Sequence, residues 1–136
     1  MRSPVVISCA IAALAWGQLA AAAPPVSIGT KVGNFTLKDF RGQAVSLDAA
    51  APGKIVVLAF LGTECPLAKL YAPRLVELAA QYGPRQVVFL GVNSNRQDAP
   101  TEIASFARVH NIGFPILKDL NQQIADRVGA TRTPEV

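Results

Sequence analysis

Cysteine is scarce in this chain: it has two, Cys9 and Cys65, far apart in the sequence. Cys9 falls in an apolar N-terminal segment that we expect to be removed, which leaves one thiol. A single thiol excludes an internal disulfide framework. The chain also has a single histidine, His110. A lone histidine near the end of a predicted helix is more often a structural residue than a metal ligand. With no cluster of cysteines or histidines, we expect neither a metal site nor a cofactor.

The chain also lacks concentrated charge and aromatic residues. Charged residues make up 16% and aromatic residues 7% of the sequence, and the 13 lysines and arginines are scattered rather than grouped in a stripe. Nucleic-acid-binding proteins usually group basic residues on one face. We therefore expect a mildly basic, solvated surface and no nucleic-acid partner.

Residues 1–23 have the pattern of a secretory signal peptide. A basic start at Arg2 is followed by an apolar stretch from Val5 to Leu19 and by the small residues Ala20–Ala23. Cleavage after Ala22 or Ala23 leaves one domain, residues 24–136, in the periplasm or outside the cell. The alternative is an uncleaved anchor, which would be the domain's only membrane contact. The apolar stretch is shorter than the ~20 residues that a spanning helix needs, which favours cleavage.

The rest of the chain alternates between strand and helix patterns. Unbroken apolar runs indicate strands buried on both faces, and apolar residues at helical spacing indicate amphipathic helices. This order predicts an α/β fold, with a central mostly parallel sheet flanked by helices. Asp98 or Thr101 is expected to cap the second helix. The predicted elements are a hairpin over 27–47, a loop over 49–53, strands over 54–61, 86–92 and 114–117, and helices over 66–82, 101–110 and 120–128.

Cys65 falls where the first buried strand ends and a helix begins. Open α/β sheets place their sites at such positions. Free N–H groups and the positive end of the helix dipole stabilise a thiolate there. The neighbouring carboxylate of Glu64 opposes ionisation, unless it relays protons or only faces solvent. By position alone, a structural cysteine and a reactive one are equally plausible.

Five segments follow one another in a recognisable order: VGNFTLKDFRGQAVSL, KIVVLAFLGTECPLAKLYAPRL, FLGVNSN, FPILKD and GATRTPEV. Together they resemble the thioredoxin-like redoxins of the alkyl hydroperoxide reductase and thiol-specific antioxidant type. The resemblance covers nearly the whole mature chain and implies a thioredoxin-like fold. In that family the chain continues into further strands and a last helix. We therefore expect the domain to be incomplete at its C-terminus.

The resemblance also implies a set of site residues. Cys65 corresponds to the nucleophilic or peroxidatic cysteine, and Thr63 is a candidate for polar support of its thiol. Thr133 and Pro134 correspond to the cis peptide that faces this cysteine and holds an extended substrate. Arg132 is a candidate for holding a thiolate or an anionic substrate, although an ordinary surface arginine is the more common case.

The chain departs from the family pattern at three positions. Ala68 stands where thioredoxin-type motifs have a second cysteine, Glu64 replaces the usual aromatic residue, and Thr63 is one residue nearer the cysteine than in peroxiredoxins. The resemblance therefore implies a thiol-dependent oxidoreductase that acts on a peroxide or a protein disulfide. Its resolving thiol is expected to come from an external reductant or redox partner protein, or else from a cysteine in the portion expected beyond Val136. The alternatives are a non-catalytic binding or assembly module of the cell envelope and, on Cys65 alone, a role in metal or haem delivery.

Overall fold

A computed structural model describes residues 27–136. The predicted signal peptide and Cys9 lie outside the described residues. Among the helices of residues 27–136, none is long and apolar enough to cross a membrane.

The centre of the fold is a mixed five-stranded sheet with the order β2-β1-β5-β4-β3. β3, β4 and β5 pair in parallel, whereas β1 is antiparallel to both of its neighbours. All strands except β1 therefore run in one direction, which confirms the predicted mostly parallel sheet. The strands are β1 (Thr36–Asp39), β2 (Ala44–Ser46), β3 (Ile55–Phe60), β4 (Val87–Asn93) and β5 (Ile116–Lys118).

The helices confirm the predicted alternation, with two local differences. Pro66 begins the longest helix because proline is favoured at a first helical position, and that helix continues through Pro73. One turn of helix stands where part of a loop was predicted, and a 3₁₀ turn (Gly83–Arg85) follows the longest helix. The helices are α1 (Leu47–Ala50), α2 (Pro66–Tyr82), α3 (Pro100–Val109) and α4 (Gln123–Val128).

The predicted cap of α3 is wrong. Ala99 is the N-cap residue, and its N–H donates to the Glu102 carboxylate at 2.7 Å. Thr101 lies within the helix. Asp98 is buried and directed to another part of the molecule, described below. A short polar residue before a helical pattern usually caps it, but here tertiary contacts outweigh that local preference.

Apolar cores lie on both faces of the sheet. Successive residues of a strand point to opposite faces, so Ala59 and Leu61 join the core under α2 and α3 while Phe60 joins the core beside α4. Neighbouring strands approach closely at Gly91, where an added Cβ would lie 2.9 Å from Cγ1 of Ile116. The packing holds the carboxyl ends of β3 and β4 in a fixed relation.

The last described residues return to β3. Glu135 pairs with Phe60 in an antiparallel bridge, with N···O distances of 2.8 and 3.3 Å. This pairing fixes the segment from Thr131 to Glu135 against the end of β3. We call this segment the proline loop. The incompleteness predicted beyond Val136 stays a prediction.

Candidate active site

Cys65 is the N-cap residue of α2, at the end of the turn that follows β3. Its N–H donates to the carbonyl of Gly62 at 3.3 Å, and its own carbonyl accepts from the N–H of Lys69 at 3.0 Å. Its side chain makes no capping hydrogen bond, is half-buried and is a free thiol. The sulfur is thus held at a helix start and remains accessible.

The proline loop lies directly against this sulfur. The Thr133–Pro134 peptide bond is cis, as the resemblance implied. Sγ of Cys65 donates to the backbone carbonyl of Thr133 at 3.1 Å. The fold therefore joins two segments that are 68 residues apart in the chain.

The surroundings of Cys65 lower the pKa of its thiol. The Thr133 side chain has the largest lowering influence, followed by the backbone N–H of Ala68, while partial burial works against them. The N–H of Leu67 and the positive charge of Lys69 add smaller effects in the lowering direction. The Thr133 carbonyl favours the protonated thiol instead, because it accepts the S–H. Because the N–H groups of α2, the Lys69 ammonium and the Thr133 hydroxyl act in the same direction, the pKa of the Cys65 thiol lies below its usual value.

Glu64 faces solvent beside the site. Its carboxylate pairs with the ammonium of Lys69 at 3.3 Å, and its side chain is 87% exposed. Exposed charges are screened by water. This placement agrees with the solvent-facing interpretation of Glu64 and limits its opposition to a thiolate.

Thr63 is buried two residues before Cys65. Its backbone N–H donates to Oδ2 of Asp98 at 2.9 Å, whereas its hydroxyl oxygen has no hydrogen-bond partner. The polar support that Thr63 was predicted to give the thiol stays a prediction. The described structure holds Thr63 through its backbone.

Asp98, which sequence reasoning identified only as a candidate helix cap, is the centre of a buried polar cluster. Its Oδ2 accepts from the N–H of Thr63, from Nδ2 of Asn93 at 2.7 Å and from Nδ2 of Asn95 at 3.2 Å. Burial, the largest single influence, raises the pKa of Asp98, but the hydrogen bonds from these three residues together lower it. The Thr63 hydroxyl adds a smaller lowering effect, although it makes no hydrogen bond. Asp98 is therefore a carboxylate.

Lys118, at the end of β5, closes this cluster from the other side. Its Nζ donates to Oδ1 of Asn93 at 2.9 Å, to the carbonyl of Asp98 at 2.8 Å and to the carbonyl of Asn95. Burial lowers the pKa of Lys118, and the charges of Asp98 and Asp119 oppose that effect. Lys118 thus holds the loop after β4 through two backbone carbonyls of that loop. We call Asn93, Asn95, Asp98 and Lys118 the Asp98 cluster.

Gly62 is the point where the cluster, the proline loop and the cysteine meet. A Cβ at this position would lie 2.6 Å from Nδ2 of Asn95, 3.1 Å from Oγ1 of Thr133 and 3.6 Å from Cβ of Cys65. Real Cβ atoms essentially never show contacts below 3.0 Å. Only glycine leaves room for this approach.

Arg132 is exposed on the proline loop, on the rim of a cavity of about 200 Å³ that Asn95 and Thr133 also line. Its backbone N–H donates to the Glu135 carboxylate at 3.2 Å, but no hydrogen bond or ion pair joins its guanidinium to Cys65 in the described residues. Its role in holding a thiolate therefore stays a prediction.

A second cavity, of about 450 Å³, lies between the start of α2 and α3. Thr63, Lys69 and His110 line it, and the His110 ring packs against the Phe106 ring in a tilted arrangement, with 4.6 Å between ring centroids. That contact agrees with a structural histidine. Within residues 27–136, no group of three or more histidine, cysteine, aspartate or glutamate side chains is placed to hold a metal ion.

Known proteins are similar to this chain in sequence and in fold. The thiol-disulfide oxidoreductase ResA of Halalkalibacterium halodurans is 29% identical over 106 residues, which are 78% of this chain and 58% of ResA. The chain thus spans less than two thirds of that relative. A hypothetical protein of Sinorhizobium meliloti superposes with a TM-score of 0.74 at 26% identity, over 80% of this chain and 62% of the other.

A second solved structure connects the fold with disulfide chemistry. It is a secreted Mycobacterium tuberculosis disulfide oxidoreductase, described as homologous to Escherichia coli DsbE. It superposes with a TM-score of 0.65 at 28% identity, covering 74% of this chain and 71% of its own. The family model described as AhpC/TSA matches residues 28–136. With its thioredoxin-like sheet and its cysteine opposite a cis-proline, this chain belongs to the AhpC/TSA family.

Proposed function

We propose that this domain is a thiol–disulfide oxidoreductase that acts through Cys65 alone. The observation that carries the proposal is the position of the Cys65 sulfur, at the start of α2 and 3.1 Å from the Thr133 carbonyl. Helix N–H groups, Lys69 and the Thr133 hydroxyl lower the pKa of this thiol. A thiolate is the nucleophile in disulfide exchange.

The reaction needs two exchanges. In the first, the Cys65 thiolate attacks one sulfur of a substrate disulfide R–S–S–R′. A bond forms between Cys65 and R–S, the substrate S–S bond breaks, and R′–S⁻ leaves with the electron pair. In the second, an external thiolate attacks the R sulfur of this mixed disulfide. That step releases Cys65 as a thiolate and leaves R joined to the external thiol.

The second thiol must come from outside residues 27–136. Ala68, at the position of the second cysteine in dithiol motifs, is completely buried in the core under α2 and offers no sulfur. Cys65 is the free cysteine of the described residues. We infer that the substrate is a protein disulfide and that a small thiol or a redox partner protein resolves the mixed disulfide.

The proline loop is the proposed binding surface for the substrate. Arg132 and Thr133 line the cavity of about 200 Å³ along this loop, and the Thr133 carbonyl lies 3.1 Å from the sulfur. We propose that the backbone of Thr133 and Pro134 holds the substrate in an extended pose, with Arg132 beside it. The proposed location is outside the cytoplasm, on the basis of the predicted signal peptide, and a similar solved structure is of a secreted protein.

Mass spectrometry of the mature domain with a protein disulfide tests this function. We expect a mixed disulfide at Cys65 that an added small thiol releases, and no adduct in Cys65→Ser. The control Glu77→Gln removes an exposed partner of Arg74 on α2 and should react like the wild type. Disulfide exchange that survives in Cys65→Ser would refute the proposal.

The same preparation, treated with peroxide, distinguishes two alternatives. Sulfenic acid at Cys65 without disulfide exchange would favour peroxide reduction, the activity in the name of the matching family. A thiol that reacts with neither oxidant would favour a binding module.

A further inference from the structure

The Asp98 cluster holds the backbone of the turn that carries Cys65. Asp98 accepts from the N–H of Thr63 at 2.9 Å, and Asn93 donates to the carbonyl of Leu61 at 3.0 Å. These two backbone groups flank Gly62, whose own carbonyl accepts the N–H of Cys65 at 3.3 Å. The cluster therefore fixes the turn on both sides of the glycine that contacts the cysteine.

The position of Asp98 is not explained by local structure. Immediately before a helix, an aspartate usually accepts from the first helical N–H groups. Here the N-cap residue of α3 is Ala99, whose side chain cannot accept a hydrogen bond. Asp98 instead accepts from the N–H of Thr63, 35 residues away in the sequence. A buried carboxylate is unfavourable unless it is fully hydrogen-bonded. The fold thus keeps a buried charge to hold this turn rather than to begin a helix.

We propose that Asp98, held by Asn93 and Lys118, is a positioning residue that sets the geometry of the turn between Leu61 and Cys65. Through that turn it aligns the sulfur with the N–H groups of α2 and with Thr133. The inference rests on the proposed function only in taking Cys65 as the reacting group. Neither Asp98 nor Lys118 makes a hydrogen bond to the sulfur within the described residues.

A second buried aspartate provides a matched control. Asp119 is 1% exposed and Asp98 is 2% exposed. The Oδ2 of Asp119 also accepts three hydrogen bonds, from the backbone N–H groups of Ile124 and Ala125, both at 3.1 Å, and from the hydroxyl of Ser94. The two backbone contacts hold the start of α4 and the third holds Ser94 in the loop after β4, and none of them reaches the turn between Leu61 and Cys65. Asp98→Asn and Asp119→Asn thus remove the same charge from similarly buried sites.

The test measures the rate of Cys65 alkylation by iodoacetamide across pH, together with urea unfolding. Near neutral pH we expect Asp98→Asn to slow alkylation about three- to tenfold, because a misaligned turn stabilises the thiolate less. Asp119→Asn should leave the alkylation profile unchanged while lowering stability. The charged groups on the elements around the sulfur, among them Glu64, Lys69, Arg132 and Glu135, stay the same in both variants.

The sign of the effect distinguishes positioning from simple charge. If Asp98 acted only as a negative charge, its removal would favour the thiolate and speed alkylation. Faster or unchanged alkylation in Asp98→Asn would overturn the proposal, as would equal slowing in Asp119→Asn. Should Asp98→Asn fail to fold, Asn95→Ala removes a half-buried neutral donor to Asp98 and changes no charge. It is expected to slow alkylation by a smaller factor, and an unchanged profile would again overturn the proposal.

Alkylation requires no disulfide substrate, so the two proposals can fail separately. A wild type that exchanges no disulfide, but whose alkylation slows in Asp98→Asn, would refute the function and keep the positioning role. Normal disulfide exchange in the wild type, together with unchanged alkylation in Asp98→Asn, would keep the proposed function and refute the positioning role.

Discussion

Gly62→Ala should distort the site by steric contact alone. The new Cβ would lie 2.6 Å from Nδ2 of Asn95, so the amide must move. That movement breaks the 3.2 Å hydrogen bond from Asn95 to Asp98. It should also press on Oγ1 of Thr133, at 3.1 Å from the new Cβ.

The size of the effect follows from two opposed contributions. A hydrogen bond to a charged group contributes about 1.5–3 kcal/mol, and the long bond from half-buried Asn95 belongs at the low end. Replacing glycine by alanine restricts the unfolded chain, which stabilises the fold by about 0.4–1 kcal/mol. The net expected loss in free energy of unfolding for Gly62→Ala is about 1 kcal/mol. For a domain of this size the melting temperature should fall by about 4 °C.

A double-mutant cycle with Asn95→Ala tests this reasoning, with the free energy of unfolding taken from urea titration. Asn95→Ala removes the amide that the new Cβ meets. In that background Gly62→Ala should be neutral or slightly stabilising, with a coupling of about 1.5 kcal/mol between the two positions. Additive effects would refute the claim that Gly62 is required by the approach of Asn95.

Two further substitutions test the thiol environment and the sheet. Thr133→Val keeps the shape of the side chain but removes the hydroxyl that contributes most to the lowered pKa of Cys65, so the alkylation profile should move to higher pH. An unmoved profile would show that the hydroxyl does not act on the thiol. Gly91→Ala places a Cβ 2.9 Å from Cγ1 of Ile116 between paired strands and should lower the free energy of unfolding by about 1–3 kcal/mol. Unchanged stability in urea would contradict the close approach of β4 and β5.

Local pattern was enough to predict the architecture. The apolar runs over 54–61 and 86–92 became β3 and β4, and the helical spacing over 101–110 became α3 to within a residue at each end. These segments are buried on one or both faces, so their hydrophobic periodicity directly reflects their surroundings. Leu47–Ala50 was missed because a single turn is too short to show a period.

The site was predictable only where a family motif covers it. Cys65, Thr133 and Pro134 were identified by resemblance, and the structure brings them together. Asp98 was interpreted as a helix cap because sequence shows only its neighbours. Its real partner, the Thr63 N–H, is a backbone group 35 residues away, and backbone groups carry no residue-specific signal. The role of Lys118 could not be predicted either, because two of its three partners are backbone carbonyls.

The burial of Ala68 has a kinetic consequence. In a dithiol enzyme, the neighbouring sulfur ends each covalent complex at a rate that the fold determines. Here a methyl group, completely enclosed under α2, occupies that place. In the proposed reaction the lifetime of the complex between Cys65 and its substrate therefore depends on how fast an outside thiol arrives, and so on the reducing supply of the compartment.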